Sequence, residues 1–209
     1  MDRKGILLVV SGFSGAGKGT LMKELVGRYD NYALSISATT RSPREGELDG
    51  REYFFRTKEE FEQMIADEAL IEHACYVGNY YGTPRAYVEE QLALGRDVIL
   101  EIEIQGALQI KKRFPDTLLL FVSTPDAETL KNRLIGRGTE SLDAVEKRLS
   151  RASEEAEGIE NYDYFIINDD LDTCVTQVHQ IIQGEHSRVS RNLELINTIK
   201  KDISKFQKG

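Results

Sequence analysis

The chain has 209 residues, with 35 acids against 27 bases, a formal net charge of -8, 40% hydrophobic and 30% charged residues. That composition can bury a sizeable core, and its sign argues against a protein that coats polymeric nucleic acid. No apolar run approaches the roughly 20 residues of a membrane span, the polar start Met1–Lys4 gives no signal peptide, and Cys75 and Cys174 form neither a metal spacing nor a redox pair, so a cytoplasmic protein without a membrane partner is expected.

In chain order, short apolar runs alternate with helical patterns. Ile6–Val10 reads as a buried strand, followed by a helix over 18–29 and a strand at Ala33–Ser37. From Ser42 the chain turns polar, then Glu52–Phe55 reads as a strand and Thr57–Asp67 as a helix. Leu70–Val77 and Tyr80–Gly82 flank Gly78-Asn79, a hairpin signal. A helix over 84–94, a strand at Val98–Ile104, a helix over 105–113 and a strand at Leu118–Ser123 come next. The helix over 125–135 has Thr124 as its expected N-cap, Pro125 in its first turn, and Leu130 and Leu134 on one face. Gly136–Ser141 links it to a helix over 141–156, then come a strand at Tyr164–Ile167 and a helix over 171–183. Strand-helix alternation predicts a parallel sheet covered on both faces, with a small mixed β subdomain inserted at about 38–83. His73, His179 and His186 show no ligand spacing.

Gly12-Phe13-Ser14-Gly15-Ala16-Gly17-Lys18-Gly19-Thr20 lies between the first strand and the first helix. It fits the phosphate-loop pattern, in which glycines let the backbone approach an anion and consecutive N–H groups at a helix start cradle phosphates. Lys18 supplies a movable point charge for the later phosphates of a nucleoside triphosphate. Gly19 stands where a Ser or Thr commonly ligates Mg²⁺, leaving Thr20 as the next hydroxyl, and Gly-Lys-Gly-Thr resembles the loop of adenylate kinases.

Further motifs follow in register: Ser35-Ile36-Ser37-Ala38-Thr39-Thr40-Arg41-Ser42-Pro43-Arg44, Gly50-Arg51-Glu52-Tyr53, Ile71-Glu72-His73, Tyr80-Tyr81-Gly82-Thr83, Glu101-Ile102-Glu103, Gly136-Arg137-Gly138 and Asn168-Asp169-Asp170. From about Gly5 to Gly184 these closely resemble guanylate kinase. The resemblance implies an α/β P-loop NTPase fold with a parallel sheet covered by helices. Its core would be 1–37 and 84–184, its GMP-binding insert about 38–83 and its short helical lid about 133–150. It implies phosphoryl transfer from ATP to GMP or dGMP with Mg²⁺, a step of purine nucleotide metabolism. Arg41 and Arg44 would hold the GMP phosphate, with Tyr53 and Tyr81 adding hydroxyls. Glu72 would accept from the guanine N1–H and 2-amino donors, Ser37 and Thr83 would donate to O6, and Glu103 stands where relatives commonly carry an Asp.

Lys18, Arg41, Arg133 and Arg148 are the implied catalytic cations; Arg137 would stack on adenine and Asn168 would lie near it. Glu101 would order Mg²⁺-bound water, or serve as a buried structural acid. Surface pairing with glutamates is the alternative for Arg133 and Arg148. Two other functions compete: a monophosphate kinase with another acceptor such as AMP, and a non-catalytic guanylate-kinase-like binding module. The tail over 185–209 carries six Lys/Arg against three Asp/Glu. Its apolar positions Val189, Leu193, Ile196, Ile199, Ile203 and Phe206 have helical spacing, which predicts packing on its own domain or on a second subunit.

Overall fold

The structure, a computed structural model, describes residues 4–76, 78–135, 150, 152–153 and 155–206. In chain order the first elements are β1 (Leu7–Gly12), α1 (Lys18–Arg28), β2 (Tyr32–Leu34), β3 (Ala38–Thr39), β4 (Phe54–Phe55) and α2 (Lys58–Ala66). Then come β5 (Leu70–Tyr76), β6 (Asn79–Pro84), α3 (Arg85–Ala93), β7 (Asp97–Glu101), α4 (Ile104–Arg113) and β8 (Leu118–Ser123). The last are α5 (Ala127–Ile135), β9 (Tyr164–Ile167), α6 (Leu171–His186) and α7 (Leu193–Lys205).

The main sheet has the order β2-β7-β1-β8-β9 and is parallel throughout, with Leu7 beside Val98 and Leu8 beside Leu118. Every residue of β8 is buried, as a strand covered on both faces requires. On one face Leu21, Met22 and Leu25 of α1 pack with Cys174, Val175, Val178 and Ile182 of α6. On the other, Val88 of α3 and Ala107 and Ile110 of α4 pack on Val9, Val98 and Leu100. His186 and His179 serve this scaffold: His186 Nε2 lies 2.7 Å from the buried Asp97 carboxylate, and His179 stacks on Tyr29 with centroids 3.7 Å apart.

A second, mixed sheet has the order β4-β3-β6-β5. Its small core is Ala38, Phe61 and Leu70, with Tyr80 stacked on Phe61 at 5.3 Å. The α2 helix that delivers Phe61 starts with a capping box: Thr57 Oγ1 accepts from the Glu60 N–H at 3.1 Å, and Glu60 Oε2 accepts from the Thr57 N–H at 2.7 Å.

Several boundaries differ from the sequence reading for local reasons. β2 stops at Leu34; Ser35 still donates its N–H to Ile99 at 2.9 Å, and by Ala38 the chain has joined the other sheet. β7 ends at Glu101 because Glu103 already occupies the N-cap position of α4. Glu52 is outside β4, its carboxylate taken by the Leu48 N–H at 2.8 Å. Asn79 pairs with Tyr76 inside the hairpin, so it belongs to β6 and not to the turn. Asp126, not Thr124, caps α5: its carboxylate accepts from the Thr129 N–H at 2.6 Å, while the Thr124 hydroxyl donates to the Asp126 carbonyl at 2.8 Å. α6 runs on to His186. The Gly136–Ser141 link and most of the expected 141–156 helix lie outside the described residues.

The tail helix α7 has the expected stripe, yet it has not found cover on its own domain. Leu193, Ile199, Ile203 and Phe206 all remain exposed. Among the described residues no helix is long and apolar enough to cross a membrane.

Candidate active site

The strand order places β1 at the point where the chain first moves toward β2 and later toward β8 and β9. In open α/β sheets the crevice at the carboxyl ends of such strands takes ligands. Here the end of β1 carries the Gly12–Lys18 loop and the end of β7 carries Glu101–Glu103, and both line one cavity of about 440 Å³.

The loop is held by close backbone contacts. Gly12 has φ 152°, and a Cβ there would come within 2.0 Å of the Val122 carbonyl of β8. Gly17 has φ 89°, and a Cβ there would meet the Asn168 amide nitrogen at 2.6 Å. Lys18 folds back over the loop, its Nζ donating to the Gly12 carbonyl at 2.7 Å and the Phe13 carbonyl at 3.1 Å.

Asn168 is buried beneath this loop and donates its side-chain N–H to the Ala16 carbonyl at 2.8 Å. The residue expected near adenine thus braces the phosphate loop from behind. Arg133 joins the same brace: it donates to the Asn168 carbonyl at 2.9 Å and reaches the Ala16 carbonyl at 3.5 Å. Its guanidinium is therefore engaged with main chain of the loop and of the β9 end. Arg137 and Arg148 lie outside the described residues.

The cavity also receives Ser37, Tyr53, Glu72, Tyr81 and Glu103. Glu72 comes from β5, where the ladder slips between Leu70 and His73. Leu70 pairs with Pro84 and His73 with Gly82, so two residues face Thr83 alone. This bulge lets the neighbours Ile71 and Glu72 both be buried, at 2% and 5% exposure, although strand alternation would turn one of them outward. Glu72 Oε1 accepts the Thr83 hydroxyl proton at 2.7 Å. Burial pushes the Glu72 pKa up to about 7, against the lowering effect of the Thr83 donors.

Thr83 itself is fully buried and its one proton is committed to Glu72. It therefore stands behind the carboxylate, and Ser37 is the expected O6 donor that lines the cavity.

At the insert's outer rim one carboxylate orders the arginine loop. Glu47 accepts from Arg41 through both oxygens at 2.9 Å and from the Arg44 N–H at 2.7 Å. Partial burial opposes the Arg41 charge, but the Glu47 hydrogen bonds and charge leave its pKa raised. Arg41 lies over the Tyr53 ring at 5.2 Å, and Tyr53 meets Tyr81 edge-on at 6.0 Å. The Arg44 side chain is exposed.

Thr20 lies exposed in the first turn of α1. Glu101 Oε2 is 3.9 Å from where a Cβ on Gly19 would stand. Solvent reaches Glu101 through the cavity, yet the protein crowded around it raises its pKa, with Lys18 lowering it and Glu103 raising it.

Ser35 and Glu155 are among the cavity residues that escaped sequence reasoning. The Ser35 Oγ is buried with no hydrogen-bond partner and lines the cavity. A signal existed, since Ser35 and Ser37 are two apart in an extended segment and share a face. Glu155 also lines the cavity, and nothing in its helical surroundings marked it. With Glu52, Glu72, Glu101 and Glu103 it makes five carboxyls around one cation, Lys18, among the described wall residues.

A family model described as guanylate kinase matches residues 4–185. The guanylate kinase of Bacillus anthracis is 52% identical over 191 residues, covering 91% of this chain and 93% of that protein. That of Clostridioides difficile (strain 630) is 52% identical over 194 residues, covering 93% and 95%. Among solved structures, the guanylate kinase from Anaplasma phagocytophilum superposes with a TM-score of 0.73 at 30% identity, covering 90% of this chain and 89% of that one.

Proposed function

The chain belongs to the guanylate kinase family, and we propose that in the cytoplasm it transfers the terminal phosphoryl group of ATP to GMP or dGMP, giving ADP and the diphosphate. The observation that carries this reading is one cavity running from the Gly12–Lys18 loop to the buried carboxylate of Glu72.

Guanine presents the N1–H and 2-amino donors on one edge. Ionised Glu72 accepts from both, and Ser37 donates to O6. Adenine lacks those donors and leaves Glu72 underpaired in a dry pocket, a mismatch that can discriminate by about 10⁴-fold. The GMP phosphate is assigned to Arg41, Arg44, Tyr53 and Tyr81. A planar guanidinium fork suits a phosphate dianion, which displaces the single carboxylate of Glu47 from Arg41. The triphosphate is assigned to the loop amides, Lys18, Arg133, Arg137 and Arg148.

The acceptor phosphate oxygen then attacks the terminal phosphorus in line. The protein supplies alignment and positive charge to the equatorial oxygens, and no protein nucleophile takes part. The Thr20 hydroxyl and the Glu101 carboxylate are hard oxygen donors of the kind that would hold Mg²⁺. Bound with ATP, that ion neutralises phosphate oxygens in a wall otherwise rich in carboxyls.

The exposed stripe of α7 is assigned to a second copy of the chain. Antiparallel pairing lets the stripe cover itself and brings the Glu194 end of one helix against the lysine-rich end of the other. Removal of residues 193–209 is expected to yield a monomer in sedimentation, and an unchanged mass refutes that assignment.

A coupled assay comparing GMP, dGMP, AMP and UMP tests the reaction. GMP is expected to lead by kcat/KM, and a preference for AMP or UMP overturns it.

A further inference from the structure

The two neighbours of β1 accompany it for different lengths. Its ladder with β8 continues to Gly12 beside Val122, but its ladder with β7 ends where Val10 stands beside Glu101. Past that pair the two strands part, and the cavity opens between the phosphate loop and the Glu101–Glu103 segment. Ile102 is the one residue between the end of β7 and the Glu103 N-cap of α4. Across the gap the Ser11 hydroxyl donates to the Ile102 carbonyl at 2.7 Å. A side chain thus supplies a further rung where the pairing of β1 with β7 has ended.

The hydroxyl stands out in its strand. Val9, Val10 and Ser11 are all buried, Ser11 at 1% exposure. A polar group in such a place costs free energy unless it is bonded. Ser11 precedes Gly12, so it lies outside the phosphate-loop motif and is not required by it. What it holds lies close to that loop. Glu101 Oε2 is 3.9 Å from where a Cβ on Gly19 would stand, and the Lys18 charge lowers the Glu101 pKa against the effect of burial. Tying the Ile102 carbonyl restrains the backbone that follows Glu101, and with it the carboxylate.

We propose that Ser11 is a positioning residue for phosphoryl transfer: it fastens the acidic end of β7 to the root of the phosphate loop and so holds Glu101 beside Lys18 and the first turn of α1. This rests on the phosphoryl-transfer reading above and deepens it. Ser11 spends its one proton on the Ile102 carbonyl, so its effect passes through the placement of Glu101. That carboxylate is a hard oxygen donor of the kind that would hold Mg²⁺ beside the triphosphate. A misplacement of about 1 Å can cost a reaction about 10²-fold.

The test is a double-mutant cycle of Ser11→Ala and Glu101→Gln, read as kcat at saturating ATP, Mg²⁺ and GMP. Each single change is expected to lower kcat about tenfold or more. Adding Ser11→Ala to Glu101→Gln should then cost less than about threefold further, because the group that Ser11 places is already gone. A serine with a merely structural role would multiply the two losses.

A binding measurement without turnover accompanies the cycle. Calorimetry of the β,γ-imido analogue of ATP, with and without Mg²⁺, gives the affinity that the ion adds. In Ser11→Ala that gain is expected to shrink about threefold or more, while binding of the metal-free analogue stays at the wild-type value and reports an intact loop. Losses that multiply in the cycle, an undiminished kcat in either single variant, or an unchanged Mg²⁺ gain in Ser11→Ala overturns the proposal. A wild type that leaves GMP unphosphorylated fails the functional reading instead, and the calorimetric gain then decides the role of Ser11 alone.

Discussion

Replacing Glu72 by Gln isolates the cost of burying this carboxyl. Gln keeps the size and the acceptor for the Thr83 hydroxyl but cannot ionise. In the folded wild type the Glu72 pKa is raised from 4.5 to about 7. An acid whose folded pKa is raised contributes stability that is complete below the unfolded pKa and is lost as pH climbs to the folded one. The full shift, about 2.5 units at 1.36 kcal/mol each, is about 3 kcal/mol. Most of that, about 2–3 kcal/mol, falls between pH 5 and pH 8, since part of the loss precedes pH 5. Denaturant unfolding of both proteins without nucleotide should show the difference, wild type minus Glu72→Gln, falling by about that amount as pH rises from about 5 to 8. Taking the difference removes every other titrating group. Two curves that stay parallel across this window refute the burial argument. The same variant should lose GMP use by about 10²-fold or more at pH 8, because an amide donor then faces guanine donors.

Lys18→Ala should lower kcat by about 10² or more while leaving the unfolding midpoint in place, since it removes a transition-state charge from a loop; a loss under about tenfold refutes the role. Asn168→Ala strips the Ala16 carbonyl of its 2.8 Å donor and should destabilise the fold by about 1–3 kcal/mol. It should raise KM for ATP and leave KM for GMP alone, as steady-state kinetics would show. Ser35→Ala removes a buried hydroxyl that has no partner, so stability should hold or rise in denaturant unfolding. Its KM for GMP should increase about threefold to tenfold if the acceptor satisfies that hydroxyl.

The layering of the fold was legible because its signals are local. Buried runs such as Leu118–Ser123 and the phosphate-loop spacing need no tertiary knowledge. What failed to show was anything set by contact across the fold. Alternation cannot foresee the bulge that buries Ile71 and Glu72 together, since it depends on β6 lying opposite. Thr83 and Asn168 each spend a hydrogen bond on a neighbour, Glu72 and Ala16, that lies far away in sequence or across a strand. In the fold, Arg41 is committed to Glu47 and Arg133 to backbone carbonyls, and Lys18 is the cation that lines the cavity among the described residues. Asp126 took the cap from Thr124 because it sits one residue before the first helical turn, where its carboxylate reaches the third amide.

The attachment of α4 to β5 has a mechanical corollary. Ile71 packs with Ala107 and Ile110, Arg113 is bonded to the Ile71 carbonyl, and Gly106 abuts Glu72, so the inserted sheet is fastened to the core beside Glu72. Arg41 and Tyr53 find their partners, Glu47 and Tyr81, inside the insert. A body pinned at one end can only swing about the pin, and displacement grows with distance from it. A rotation of the insert about this attachment would leave Glu72 near the pivot and carry Arg41 with the rest of the insert.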